Sequence, residues 1–309
     1  MQNKDPSSLP FPLHTPVMPQ QVYRCLFPEG KKNFPLWFWD LTVGMGGHTR
    51  FILERCPNVR VLALDCDEEA LERAKENLKD FAPRIDFYLG NFRHLWQLKS
   101  LPSPEAILMD LGVSSYQLEN PQRGFSFQKA GPLDMRMDLS SPITLKDFLK
   151  NLDQKELANI LWEYGQERYS RPIAKAILRA RHRIQDTLQL AEIVSKAVKV
   201  PPRRIHPATR TFQALRIALN DELGALEEGL RAAFALLKKG GRMAILSFHS
   251  LEDRLVKRFF QKLSQEKKGR LLWKKPQRPT PEEVAQNPRS RSAKLRCLEK
   301  ESEEALSAL

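Results

Sequence analysis

Trp37-Phe38-Trp39-Asp40-Leu41-Thr42-Val43-Gly44-Met45-Gly46-Gly47-His48-Thr49 decides the fold. It reads as an apolar strand, a glycine turn and the first turn of a helix. Gly44, Gly46 and Gly47 remove the Cβ atoms that would hold a ligand away from the backbone. A helix start offers unpaired N–H groups and the positive end of the helix dipole. That geometry suits a nucleotide-like cofactor or a carboxylate. The other reading is a tight turn between a core strand and a helix, and a glycine cluster alone does not separate the two.

Outward from this stretch the pattern alternates. Residues 20–26 predict a short helix, and 36–41 the first strand. A helix is expected over 48–55, with Phe51, Ile52 and Arg55 at helical spacing. Residues 59–64 form a continuous apolar run that ends in Asp65. Ala70, Leu71, Ala74, Leu78 and Phe81 share one face of a helix over 68–81. Strands follow at 85–89 and 106–109, the latter ending in Asp110. Apolar strands separated by helices predict a parallel sheet covered on both faces.

The alternation then stops. Residues 111–138 are rich in Gly, Ser and Pro and show no clear period. Helices are expected at 144–150, 153–164, 167–182, 188–198, 209–219 and 222–237. Strand character returns at 242–247 behind Gly240-Gly241, followed by a helix over 251–263. Residues 271–274 and 294–298 suggest a closing pair of strands. The fold class is therefore α/β: a sheet domain, residues 1–120 and 210–309, interrupted after its fourth strand by an all-helical insertion, 121–209.

Composition limits the alternatives. The chain has 309 residues, 41% hydrophobic and 28% charged, as in soluble globular proteins. No run reaches the roughly 18 apolar residues of a membrane span, so no membrane partner is expected. The N-terminus lacks the order of a signal peptide. Cys25, Cys56, Cys66 and Cys297 are scattered, with no CxxC pair. Neither a disulfide framework nor a zinc site is expected, and a reducing cytoplasm fits. The six histidines show no ligand spacing, so no metal is expected.

The formal charge is +13, unevenly spread. Residues 168–216 hold 12 Lys/Arg against 2 Asp/Glu, and 254–300 hold 15 against 4. An acidic body with two basic segments reads as a catalytic core with a polyanion-binding surface. Two solvated basic helix faces are the alternative.

In an open parallel sheet, ligands bind beyond the carboxyl ends of the strands, near the reversal of strand order. There the sequence places Asp40 and the glycine turn, then Asp65, Gly90-Asn91-Phe92 and Asp110. Asp65 is suited to the two hydroxyls of a ribose; its alternative is to cap the helix near Glu68. Phe92 reads equally as core, and Asp110 equally as a turn former before Gly112. A dinucleotide site wants G-x-G-x-x-G, and the third glycine is absent here. No phosphate-binding lysine motif is present. A cofactor with adenosine and an amino-acid tail but no phosphate fits better, and S-adenosylmethionine is such a molecule.

Asp40-Leu41-Thr42-Val43-Gly44-Met45-Gly46-Gly47-His48-Thr49 resembles the cofactor loop of the ribosomal RNA small subunit methyltransferase H family. Further blocks are similar to that family in the same order: 14–17, 110–115, 123–127, 131–138, 206–214, 247–254 and 287–292. Together they span about residues 14–298. The resemblance implies a Rossmann-like methyltransferase sheet. It also implies an S-adenosylmethionine-dependent enzyme that methylates N4 of a specific cytidine in the decoding region of 16S rRNA. It implies cofactor contacts at Gly46, Gly47, His48, Asp65, Phe92, Asp110 and Gln117. Departures from the family pattern are Gln21 where glutamate is common, Val43 and Met45 in the loop, and Lys239 where proline is common.

The exocyclic amine of cytosine is a poor nucleophile, so the enzyme must align it with the methyl donor and accept its hydrogens. Asp110 is the catalytic candidate. The base must be unstacked to enter the site. Arg203, Arg204, Arg210, Arg289 and Arg291 are candidates for RNA phosphate contacts. Arg123 and Phe125, with Phe127, are candidates to stack on the target base; the alternative is that both Phe anchor the insertion onto the core. His249 is expected as a helix-cap residue rather than a catalytic one. The partner is 16S rRNA or the small ribosomal subunit, and a monomer and a homodimer both stay open. Rival readings are a nucleotide-dependent oxidoreductase, disfavoured by the missing glycine, and a non-enzymatic ribosome-assembly factor. A DNA amine methyltransferase is nearer, but its proline-proline-aromatic sequence does not follow Asp110.

Overall fold

Seven strands build one sheet in the order β3-β2-β1-β4-β5-β7-β6. The structure, a computed structural model, describes residues 15–28, 36–198 and 206–303. The strands are β1 (Leu36–Asp40), β2 (Val59–Asp65), β3 (Ile85–Leu89), β4 (Ala106–Asp110), β5 (Arg242–Ser247), β6 (Gly269–Leu271) and β7 (Lys294–Lys300). The first five run parallel, and β7 lies antiparallel to both β5 and β6. The chain steps outward from β1 to β3, then returns to place β4 on the other side of β1. That reversal lies between β1 and β4, where a Rossmann-like sheet opens a crevice at its carboxyl edge. Asp40, Asp65 and Asp110 are the last residues of β1, β2 and β4.

The continuous apolar runs are buried on both faces, as parallel strands require. One face packs Phe38, Val61 and Leu108 with α1 (Pro19–Leu26) and α2 (Gly47–Leu53). The other packs Trp39, Leu62, Ile107 and Ile245 under α10 (Glu222–Leu236) and α11 (Ser250–Gln265). The helix expected over 68–81 is α3 (Glu68–Asn77), then a 3-10 turn, Lys79–Arg84. Pro83 has no N–H to continue an α-helix. The closing strand expected at 271–274 begins earlier, at Gly269. A Cβ there would lie 2.8 Å from the Leu298 side chain, so only glycine brings β6 this close to β7.

Contact density divides the chain into two units. One runs to Gly112 and resumes at Leu223; the other is Val113–Glu222. The helical unit is thus wider than the expected 121–209. It includes α4 (Ser115–Glu119) and α9 (Ala208–Leu219), because Val113, Leu118, Phe212 and Leu215 pack into its core. Between these lie α5 (Leu145–Asn151), α6 (Gln154–Glu163), α7 (Ser170–Ala180) and α8 (Thr187–Ala197). Helix α7 starts three residues later than expected because Gln166 turns left-handed at φ 50°. A last short helix, α12 (Pro281–Gln286), precedes β7.

One expectation fails outright. Cys25 of α1 and Cys297 of β7 form a disulfide, with Cα atoms 6.4 Å apart although the two are 272 positions apart in sequence. Packing of α1 against the sheet brings together two cysteines that no local spacing links.

Candidate active site at the carboxyl edge of the sheet

The glycine turn is held by the strand ends around it. Gly44 has φ 52° and Gly46 φ 86°, both in the region that side chains rarely adopt. A Cβ on Gly46 would meet the buried Leu78 side chain at 2.7 Å. The turn folds back through Gly46 N–H to the Val43 carbonyl, and Val43 N–H donates to the Leu64 carbonyl at the end of β2. Among the described residues no side chain caps α2, which leaves its first N–H groups without a side-chain acceptor there.

Three carboxylates surround this turn. Asp40 is 1% exposed; it accepts the Thr49 hydroxyl at 2.7 Å and the Thr42 amide at 3.3 Å. Burial pushes its pKa up to about 6, against the lowering effect of the Thr49 hydroxyl. Asp65 accepts Gly44 N–H at 2.8 Å and Asp67 N–H at 3.0 Å. Burial raises it to about 6, with both amides opposing. Asp65 therefore ties β2 to the turn, and Asp67 instead caps α3 by accepting from Glu69 and Ala70.

Asp110 is the least satisfied of the three. Its backbone N–H donates to the Thr42 hydroxyl at 2.7 Å. Its carboxyl is 26% exposed, and Oδ2 lies 3.5 Å from His48 Nδ1. Oδ1 is buried with no hydrogen-bond partner among the described residues. Burial, then the charge of Glu252, pushes its pKa up to about 7. Glu252 is itself 3% exposed and fixed by the Phe248 and His249 amides. His48 is 6% exposed, and its Nε2 lies 2.8 Å from the Val17 carbonyl. Burial lowers its pKa, while Asp40 pulls the other way.

Phe92 is half-buried and seated on α10, where a Cβ on Gly229 would come within 2.5 Å of its ring. The sheet-bearing unit thus gathers Gly46, Gly47, His48, Asp65 and Asp110 around the ends of β1, β2 and β4, with Phe92 following β3. Gln117 belongs to the helical unit. It is 4% exposed, and its Oε1 accepts Ser114 N–H in a reciprocal cap of α4.

The RNA candidates fare differently. Arg123 and Phe125 are 3% and 6% exposed. The Arg123 guanidinium donates to the Arg136 and Met137 carbonyls, and Phe125 joins the apolar core of the helical unit. Both side chains therefore sit in the interior of the helical unit rather than on a surface that would meet RNA. Phe127 packs 4.7 Å from both His206 and Phe212. Arg210, Arg289 and Arg291 are exposed; Arg203 and Arg204 lie outside the described residues. His249 is the N-cap of α11, reciprocally bonded with Glu252.

Sequence reasoning missed two contributors. The Thr42 hydroxyl fixes the backbone of Asp110, and Glu252 raises the pKa of its carboxyl. The signal for Glu252 was its place three residues after His249, the spacing of a capping box.

A family model described as the MraW methylase family matches residues 12–301. Three proteins named ribosomal RNA small subunit methyltransferase H are similar along almost their whole length. The one from Thermotoga neapolitana is 46% identical over 294 residues, 93% of this chain and 95% of that protein. The one from Syntrophotalea carbinolica is 47% identical over 308 residues, 92% and 97%. The one from a Nostoc species is 46% identical over 310 residues, 97% of each.

Proposed function

Because the chain belongs to the MraW methylase family, we propose that it methylates N4 of a specific cytidine in the decoding region of 16S rRNA. S-adenosylmethionine is the methyl donor. The substrate is that RNA, alone or within the small ribosomal subunit, and the compartment is the cytoplasm. A buried disulfide is unusual there.

The observation that carries the reading is Oδ1 of Asp110, buried with no hydrogen-bond partner among the described residues. A buried acceptor without a donor is costly unless a ligand supplies one. An exocyclic amine brings two N–H donors.

The residues present also suit the donor. The open N–H groups after Gly46 suit its carboxylate end. Asp65 accepts Gly44 N–H on one oxygen and Asp67 N–H on the other, and its carboxylate has lone pairs left for a ribose hydroxyl. Phe92 keeps exposed ring surface for an adenine. Gln117, in the helical unit, is a further cofactor contact that the family resemblance implies. When bound, S-adenosylmethionine supplies an electrophilic methyl group on sulfur. The protein's part is to seat the amine in line, accept its hydrogens at Asp110 and exclude water. Arg203, Arg204, Arg210, Arg289 and Arg291 hold the RNA backbone by charge.

The decisive assay offers labelled S-adenosylmethionine and small subunits lacking the modification. Label on N4 of one cytidine supports the reading. Cofactor binding without label on any cytidine would sink it. Arg203→Ala with Arg204→Ala is expected to weaken RNA binding. The slope of log affinity against log salt should become shallower by about 1.4, roughly 0.7 per lost contact to single-stranded RNA. An unchanged slope in a filter-binding titration would remove both arginines from the interface.

A further inference from the structure

His48 and Asp110 meet at the carboxyl edge of the sheet. His48 Nε2 lies 2.8 Å from the Val17 carbonyl oxygen. A carbonyl only accepts, so Nε2 carries a hydrogen. In the neutral ring Nδ1 is then a bare acceptor, and it faces Asp110 Oδ2 at 3.5 Å. Active-site contacts of this length tighten once substrate is seated. Two acceptors face to face repel unless a proton lies between them.

We propose that His48 and Asp110 form a site for one proton held in common, and that the pair, empty of that proton when methylation begins, receives the one shed by the target amine. The proposal rests on the amine-methylation reading above. Asp110 meets the substrate, and His48 is a positioning residue that acts through it.

The surrounding charges agree. Asp40 at the end of β1 and Glu283 on α12 favour a proton on His48, and Glu252 on α11 favours one on Asp110. Burial acts oppositely on the two, lowering the imidazole and raising the carboxyl, which brings their proton affinities together. A shared proton is held more tightly than either group alone would hold it.

The step balances. The nitrogen that has gained a methyl carries one hydrogen too many. Its N–H bond breaks, and the electron pair stays on nitrogen. The proton binds Asp110 and is held against Nδ1. Bulk water later removes it and restores the pair.

The test reads the free protein first. Two-dimensional ¹H–¹⁵N spectra of histidine-labelled protein should show His48 protonated on Nε2 throughout. Its Nδ1 shift should titrate with a midpoint at least about one pH unit higher than in Asp110→Asn. Coincident titrations in the two proteins, or a hydrogen fixed on Nδ1 instead of Nε2, would overturn the proposal. Kinetics give the second reading. In His48→Gln the acid limb of kcat should move to lower pH by about one unit, with kcat down roughly tenfold. A uniform loss with the limb unmoved indicates a merely structural histidine and also overturns it. If His48→Gln does not fold, the spectra of wild type and Asp110→Asn decide. Those spectra need no RNA. A failed substrate reading therefore shows as absent methylation with the titration intact, and a failed pair as the reverse.

Discussion

Asp110→Asn is expected to lower kcat for methyl transfer by about 10²–10³-fold, the effect typical of removing one transition-state partner. RNA affinity should stay within about threefold, because Asp110 is set at a strand end rather than on the basic surface. Asparagine keeps the volume of the side chain and the backbone bond to the Thr42 hydroxyl. Its amide even donates to His48 Nδ1, which removes the acceptor–acceptor contact. What it loses is the negative charge and the second acceptor, the two properties an amine needs as it becomes cationic. The loss should therefore fall on the chemical step. Single-turnover rates at saturating donor and RNA, with both dissociation constants measured separately, make the check. A rate within threefold of wild type would mean that the amine loses its proton elsewhere.

Much of this site was legible because strands in a parallel sheet write their ends plainly. Apolar runs stop at Asp40, Asp65 and Asp110, and a chain cannot bury a carboxylate mid-strand without a partner. The glycines at 44 and 46 were legible for a related reason, since both hold backbone angles that other residues resist. Partner choice was not legible. Asp65 and Asp67 are equally good caps on paper, and only the geometry assigns the helix to Asp67 and the turn to Asp65. Arg123 looked like an RNA contact because charge and an adjacent aromatic read the same on a surface as in an interior. Its carbonyl partners, Arg136 and Met137, come from a stretch without periodicity, so no pattern announces them. Gly131 belongs to the same stretch. A Cβ on it would lie 1.9 Å from the Pro121 carbonyl, which makes that motif a packing feature of the helical unit. The Cys25–Cys297 bridge was hidden for want of any local signal at all.

Between about pH 4 and pH 7 the sheet-bearing unit is expected to lose stability as pH rises, and Asp110→Asn should remove part of that loss. Asp40 and Asp65 are raised from 3.8 to about 6, and Asp110 to about 7. An unfolded aspartate titrates near 3.9. Inside the window the folded state holds protons that the unfolded state has released. The derivative of unfolding free energy with pH is then negative. Below the window both states are protonated, and above it both are ionised with the full cost in place. Asp253 and Glu299 work in the other direction. Burial raises each, but hydrogen bonds from Arg296 and Lys294, and from Arg242 and Arg270, leave both pKa values lowered. Their contribution is present at neutral pH and is lost as pH falls below about 4. The optimum should thus sit on the acid side of neutrality. At pH 8 Asp110→Asn should be more stable than wild type by about 2 kcal/mol, or roughly 4–8 °C in Tm. At pH 5 the difference should be much smaller, because wild-type Asp110 is already neutral there. Thermal melts of both proteins across this range test it, and a difference that is constant with pH would refute the assignment of the charge to Asp110. A stabilising substitution that also abolishes turnover identifies the buried carboxylate as a feature kept for chemistry rather than for folding.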